Sequence, residues 1–569
     1  MMLKGDTIFH KLWYFLRTYV LTLKRFDLFL QGTLLVVILL ETNVYLLLQR
    51  DASEGYHPGL VADYVMLGAA GVEFILGAAV AWWGRGRRQL ALSFWMAVTS
   101  AAGLLVLAFP FAKSDPASVQ LCGGSTIASF RNITIVDDNL SVRTAFLVIT
   151  VLLCALTKVS IWSHGLTYLD DHDPQNGPYF YGILISIRMS LGLSGSNWLR
   201  AGSVRDDWWE AHLSLCMLAF MFAVLFTLFP KRMAKSEEFG ELGDSGVDTG
   251  FCASLGRLVH NKALMVQTLA LSFLSAAVFG FVHYDRAYVQ ARFHVEAIRQ
   301  DPRTSRALTD IFRSLVIIFF VMIFRVRFSA RRSDGVKANT ASRVAGVVAI
   351  FVAVFFTVLA VVSCDTGDIQ GLQTGGYEQP TCSQDCRCNS ERYGFSPVCA
   401  LDTGTTFFSP CNAGCSQYED LNGFLLFQNC SCGSTGTQRA VRGACTVNSC
   451  RLAFSAYQVL YTVMLAVSAA CFLMQGMVVV RAVRPVDKVT AVGASFAVVA
   501  LLSFVFGHLA YMLISYLTCA YSANGACLLH SQMIWSACAV SAVLAAMAAV
   551  ASLVASRMPS DIPEITTEL

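Results

Sequence analysis

Two groups of residues in this sequence are of types that do chemistry. The first is cysteine. The chain holds 19, and eleven of them fall between Cys364 and Cys450, inside its one long polar segment. Cysteines clustered in a small polar module read as a disulfide framework built in an oxidising compartment. The second group is ionisable residues embedded in apolar runs: Glu41, Glu73, Lys158, Arg188, Arg313 and His508, with His283, Asp285 and Arg286 at the end of another run. A charge at a bilayer centre costs about 2.5–3.5 kcal/mol on insertion scales, so such a residue faces a cavity or a partner. Arg188 and Lys158 are the first candidates for attracting an anion, with Glu73, Arg313 and His508 as further candidate substrate-binding positions. Each has a structural alternative. Arg188 and Glu73 can simply neutralise one another, Lys158 and Arg313 can snorkel or pack, and His508 can be a hydrogen-bonded core histidine or a pH sensor. Asp170, Asp171, His172 and Asp173 are metal-ligand types, but no second cluster accompanies them. No metal, catalytic residue or cofactor is therefore expected, and no nucleotide-binding loop points to ATP.

The elements that must position these residues are membrane helices. The 569 residues are 55% hydrophobic and only 14% charged, against about 25% charged in ordinary soluble proteins. A bilayer core of roughly 30 Å needs about 20 apolar residues per helix. Apolar runs fall near 26–48, 60–83, 90–110, 142–165, 178–198 and 210–230, then near 264–284, 307–326, 343–363, 452–480, 489–517 and 531–555. The net charge of +4 comes without a basic tract interleaved with aromatics, which argues against nucleic acid as a partner.

Orientation follows from the basic residues flanking these runs. Arg85, Arg87 and Arg88, then Lys231, Arg232 and Lys235, then Arg325, Arg327, Arg331, Arg332 and Lys337, then Arg481, Arg484 and Lys488 all fall on one side if both termini are cytoplasmic. The cysteine-rich segment and the glycosylation sequons at Asn132, Asn139 and Asn429 then fall on the other, extracellular side, where both modifications belong. The expected organisation is a cytoplasmic leader (1–25), a six-helix bundle (26–230), a flexible cytoplasmic linker (231–262), helices seven to nine (263–363), an extracellular cysteine-rich module (364–451), helices ten to twelve (452–556) and a cytoplasmic tail (557–569). The fold class is an all-α polytopic membrane protein of 12 transmembrane helices, of major facilitator type. Trp83-Gly84-Arg85-Gly86-Arg87-Arg88 is similar to the Gly- and Arg-rich loop between helices two and three of that superfamily. It is either a gate element or a topology signal.

The module carries few large apolar groups, so crosslinks must compensate for a weak core, each typically contributing about 2–4 kcal/mol. Its cysteines are Cys364, Cys382, Cys386, Cys388, Cys399, Cys411, Cys415, Cys430, Cys432, Cys445 and Cys450. The number is odd, so one is free or pairs elsewhere, and Cys122 is the other lone candidate on that side. Cys519 and Cys527 are placed to close their own loop. Connectivity does not follow from sequence.

Several stretches occur in a telling order. Pro397-Val398-Cys399 is followed by Ser409-Pro410-Cys411-Asn412-Ala413-Gly414-Cys415 and Asn429-Cys430-Ser431-Cys432. This segment resembles the Kazal-like loop between helices nine and ten of the organic anion transporting polypeptides. Tyr168-Leu169-Asp170-Asp171, Gly182-Ile183-Leu184, the junction from Arg481 through Lys488 to Gly493, and the loop from Cys519 to Cys527 are similar to that family too. The resemblance implies a plasma-membrane carrier with no enzymatic activity. It implies sodium-independent, alternating-access transport of large amphipathic organic anions such as bile salts, steroid conjugates, thyroid hormones and eicosanoids across the lipid bilayer, in exchange for a counter-anion. Its Kazal-like module would act as a structural cap.

The chain departs from the family pattern at cationic positions. Cys154 stands where relatives carry a helix-four arginine, with Lys158 one turn on; Ala500 replaces a helix-eleven arginine; Asp285 and Ala287 replace lysines. Helix three has no histidine, and the tryptophan-rich signature is reduced to Asp206-Asp207-Trp208-Trp209-Glu210. Two alternatives therefore stand beside anion transport: a carrier of neutral steroids or lipophilic hormones, and a transport-inactive receptor or adhesion protein derived from the same fold.

Overall fold

A computed structural model describes residues 21–52, 58–109, 120–124, 140–190, 208–231, 250–294, 303–329, 337–373, 376–421, 424–433, 438–445, 448–523 and 526–558. The first set of helices is α1 (Leu23–Ala52), α2 (Pro58–Gly84), α3 (Arg88–Val106), α4 (Leu140–Ser160), α5 (Thr167–His172), α6 (Gly177–Met189) and α7 (Trp208–Thr227). The wide turn Ile161–Leu166 joins α4 to α5 with i→i+5 hydrogen bonding, a geometry that often marks functional helices. The second set is α8 (Phe251–His260), α9 (Lys262–Phe293), α10 (Arg303–Ser329), α11 (Ala338–Val361), α12 (Asn448–Arg481), α13 (Lys488–Val499), α14 (His508–Leu517) and α15 (Trp535–Ala555), with Ala500–Gly507 forming a second wide turn between α13 and α14.

Ten described helices are long and apolar enough to cross a membrane. The fifth and eighth of the expected runs are not among them. Helix α6 has 13 described residues, and α10 carries Arg313, Arg325 and Arg327. Both nevertheless sit at the centre of the packing. Helix α6 lies against α10 and α12, and α2 lies against α13, so these contacts join the first set to the second. At Gly476 of α12 a Cβ would come within 1.9 Å of the Tyr181 ring of α6; glycine lets the two helices approach there.

The stretch read as a linker contains a helix, α8. Phe251 packs edge-on to Trp82 at 5.7 Å between centroids, and Arg257 grips Asp487 at 2.6 and 2.8 Å. Helix α9 then starts at a cap, with the Asn261 side chain accepting from the Leu264 N–H at 3.0 Å.

The cysteine-rich module lies between α11 and α12. It contains a hairpin of β1 (Leu372–Gln373) and β2 (Gly376–Tyr377). Its antiparallel sheet is ordered β4-β3-β7-β6-β5, from β3 (Val398–Ala400), β4 (Thr405–Phe407), β5 (Cys415–Leu421), β6 (Phe424–Cys430) and β7 (Ala440–Arg442). Its apolar core is small: Leu121, Val398, Ala400, Phe407, Ala413, Phe427 and Ala440. Crosslinks hold what that core cannot. Cys364 joins Cys450, Cys382 joins Cys432, Cys388 joins Cys411, Cys399 joins Cys445 and Cys415 joins Cys430. The eleventh module cysteine, Cys386, joins Cys122 across 264 residues. Cys519 and Cys527 close a separate hairpin of β8 (Cys519–Ala523) and β9 (Ala526–His530), whose Leu529 packs with Ile369, Phe395 and Phe408 of the module. Asn429 is exposed at the end of β6, whereas Asn132 and Asn139 lie outside the described residues.

Candidate functional site

The ionisable residues fall into two layers and one isolated cluster. The first layer lies at the end of the bundle opposite the module. Asp170 and Asp171 come from α5, at the foot of the fourth long helix. Arg481 at the end of α12 reaches Asp170 at 2.8 Å and the Pro174 carbonyl at 2.7 Å. Lys488, the first residue of α13, reaches Asp170 at 2.8 Å and Asp171 at 2.6 Å. Arg88, the first residue of α3, reaches Asp171 at 2.5 Å. Two carboxylates of the first helix set therefore hold two cations of the second. Gly177 makes room, because a Cβ there would come within 2.3 Å of the Asp170 carboxylate. This is the chemistry done by the four-residue polar run at 170–173: the Asp170 and Asp171 carboxylates serve ion pairs, and Asp173 accepts hydrogen bonds from Asn176. In the Gly- and Arg-rich loop, Arg88 binds an acidic side chain, while Arg85 lies over the Trp82 ring at 4.7 Å.

The second layer crosses the middle of the bundle. Lys158 of α4 places its ammonium 2.7 and 2.9 Å from the two carboxylate oxygens of Glu41 of α1. Sequence reading had left Lys158 between substrate contact and snorkelling; it is instead held by a specific carboxylate. Glu73 of α2 is buried at 7% exposure, within electrostatic reach of Lys158, Arg188 and Glu41. Among the described residues no direct ion pair joins Glu73 to Arg188, so the simple neutralising pair is not formed. Arg188 of α6 instead lies over the ring of Phe279 of α9, 4.9 Å from its centroid. Phe279 in turn meets Phe472 of α12 at 5.8 Å and Phe504 of the wide turn at 5.9 Å. A cation of the first helix set thus faces an aromatic group of the second.

Arg313 of α10 does not snorkel freely. It donates to Gln458 at 2.6 Å and lies 5.2 Å from the Tyr461 centroid on α12. Nearby, Tyr457 donates a hydrogen bond to Asp285.

His508 is the remaining sequence candidate. It is 3% exposed, and its Nε2 has no hydrogen-bond partner. The nearest carboxylate oxygen, on Asp63, is 3.5 Å away. His283 lies 3.2 Å from the same oxygen. Sequence reasoning singled out both histidines but missed Asp63, which lies 220 residues before His283. It missed Phe279, Phe472 and Phe504 as well, because aromatic residues in apolar helices carry no distinguishing local signal.

Two helix sets, with ion pairs between them at one end and a cation–aromatic contact between them at mid-depth, make up a multi-span membrane fold of major facilitator type. Solved structures agree at the level of fold. The proton:xylose symporter XylE is similar with a TM-score of 0.51 and 9% identity, over 93% of this chain and 95% of that one. A bacterial homologue of the iron transporter ferroportin, in an outward-facing state, is similar with a TM-score of 0.52 and 11% identity, over 94% and 100%. The sequence model of the Organic Anion Transporter Polypeptide (OATP) family matches residues 72–534, and the chain belongs to that family. Relatives include the mouse solute carrier organic anion transporter family member 1A6, 23% identical over 336 residues, covering 49% of this chain and 48% of the relative. The human family member 2B1 is 29% identical over 161 residues, covering 26% and 22%. The chain spans about half the length, or less, of these curated relatives. It is a multi-span membrane protein of a transporter family.

Proposed function

We propose that this chain carries large amphipathic organic anions across the plasma membrane by alternating access, independently of sodium and in exchange for a counter-anion. The observation that carries the reading is Arg188 over Phe279, at the contact between the two helix sets and backed by Phe472 and Phe504. An amphipathic anion needs an apolar bed and one cation, and a site between the halves can face either side in turn. Large aromatic surfaces supply most of the apolar contact area. The ion pairs of Asp170 and Asp171 with Arg481 and Lys488 lie at the end opposite the module and would break when that end opens. Both termini lie in the cytoplasm in this reading. The module is extracellular, where its disulfides persist, and the sequons at Asn132, Asn139 and Asn429 belong to the same side in this reading. The bile salt, steroid conjugate, thyroid hormone and eicosanoid classes are the substrates to try first.

Uptake of a labelled steroid sulfate into cells displaying the chain tests this. Arg188→Ala at equal surface abundance is expected to lower uptake at least about tenfold, a loss of about 1.4 kcal/mol or more. Absence of uptake across a broad anion panel by well-displayed protein overturns the transport reading and favours a receptor role.

A carrier of neutral steroids or lipophilic hormones is the second reading. It is favoured by the charge balance of the middle layer, where Glu41 and Glu73 face Lys158 and Arg188. Under this reading an unsulfated steroid competes as well as its sulfate, and Arg188→Ala leaves its uptake intact.

A further inference from the structure

Asp63, His283 and His508 offer one ligand atom each, and these atoms lie within 4.8 Å of one another. They come from α2, α9 and α14, at the end of the bundle that carries the module: α14 leads directly into the Cys519–Cys527 hairpin. The Asp63 Oδ1 atom is 3.2 Å from His283 Nε2 and 3.5 Å from His508 Nε2. Metal–ligand bonds of about 2.0–2.1 Å in a tetrahedral site put neighbouring ligand atoms about 3.3–3.4 Å apart. Both distances bracket that value.

A second observation points the same way. His508 is 3% exposed and its Nε2 has no hydrogen-bond partner. A buried unsatisfied nitrogen forfeits its solvation without compensation, and native interiors seldom leave one without a reason. Here the nitrogen lies 3.5 Å from the Asp63 carboxylate and makes no hydrogen bond to it. His283, by contrast, is 40% exposed, which opens the group to an approaching ion.

We propose that Asp63, His283 and His508 form a binding site for a divalent transition metal, with Zn²⁺ the ion it fits. Two imidazoles and one carboxylate suit zinc far better than magnesium or calcium, which favour all-oxygen shells. Three protein ligands leave a fourth position for water. An ion there would join α2 of the first helix set to α9 and α14 of the second, holding the halves together at the module end. That consequence rests on the alternating-access reading, whereas binding is read without transport.

The test uses the full chain in detergent, stripped with a chelator and titrated with ZnCl₂, with MgCl₂ as control. Equilibrium dialysis and thermal unfolding are the two readouts. Binding of about one Zn²⁺ per chain with a raised Tm is expected, and none with Mg²⁺. His283→Ala replaces an exposed side chain and Asp63→Asn conserves shape, so both should fold, as the unliganded Tm will report. Losing a supporting residue near a metal costs about 10–100-fold in affinity, and losing a direct ligand should weaken binding at least as much. No saturable Zn²⁺ binding below millimolar concentration, or binding unchanged in both variants, overturns the site.

Discussion

Glu41 and Lys158 stand 117 residues apart in sequence and meet in the middle of the bundle, the ammonium 2.7 and 2.9 Å from the two carboxylate oxygens. Their side chains are only 14% and 13% exposed. Removing one partner therefore leaves the other charge with little water. Lys158→Met is expected to destabilise the protein by about 3–5 kcal/mol, and Lys158→Met with Glu41→Gln by clearly less. A double-mutant cycle on thermal unfolding in detergent, with Glu41→Gln as the second single variant, checks this; a double loss equal to the sum of the two single losses would show that the pair is not coupled.

The two carboxylates at the opposite end differ in burial, and that decides their weight. The Asp170 side chain is 2% exposed and holds both Arg481 and Lys488; that of Asp171 is 30% exposed. Exposed pairs are worth about 0–1 kcal/mol, buried ones considerably more when broken. Asp170→Asn should lower uptake and Tm strongly, and Asp171→Asn should leave both near the parent. A larger effect at Asp171 would place the weight of the contact on Arg88 instead.

Much of this was legible in the sequence, and the reason is locality. Helical runs declare themselves within about 20 residues, and the cysteine order around Ser409-Pro410-Cys411 sits in one short stretch. The acidic pair at 170–171 was legible as a motif, but its partners at 481 and 488 belong to the other helix set. The mid-depth charges were legible as types, because ionisable residues are costly there. Their pairing was not. Nothing near Lys158 names Glu41, nothing near Arg188 names Phe279, and Asp63 becomes informative only when α9 and α14 are brought beside it. The short helix α8 was hidden for the same reason, since Arg257 finds Asp487 230 residues later.

Two histidines near the module make stability depend on pH. Burial pushes the ring of His294 down to about 4, and burial does the same to His530. In the unfolded chain each titrates near 6.5. Between these values the unfolded chain takes up protons that the folded one refuses. Stability is therefore full above about pH 6.5 and falls as pH drops toward 4, by up to about 3 kcal/mol per ring. Thermal unfolding at pH 7.5 and 5 should show the loss. His294→Asn, which tolerates the left-handed backbone at this position (φ 48°), should reduce it; an unchanged slope would assign the dependence elsewhere.

The seven disulfides and five free thiols account for all 19 cysteines. Only Cys122–Cys386 spans residues 232–249. A protease site engineered into that stretch should give two fragments that migrate together without reductant and apart with it. Cys122→Ser should separate them under both conditions, and separation of the parent fragments without reductant would refute the bond.

That bond also imposes an order on biosynthesis. Cys386 is made 264 residues after Cys122, so the first half of the protein must be threaded into its membrane while its thiol waits for a partner not yet translated. Every nearer cysteine that emerges in the meantime, Cys364 and Cys382 among them, is a wrong choice. Faithful maturation therefore depends on an isomerase or on the timing of the ribosome as much as on the finished geometry.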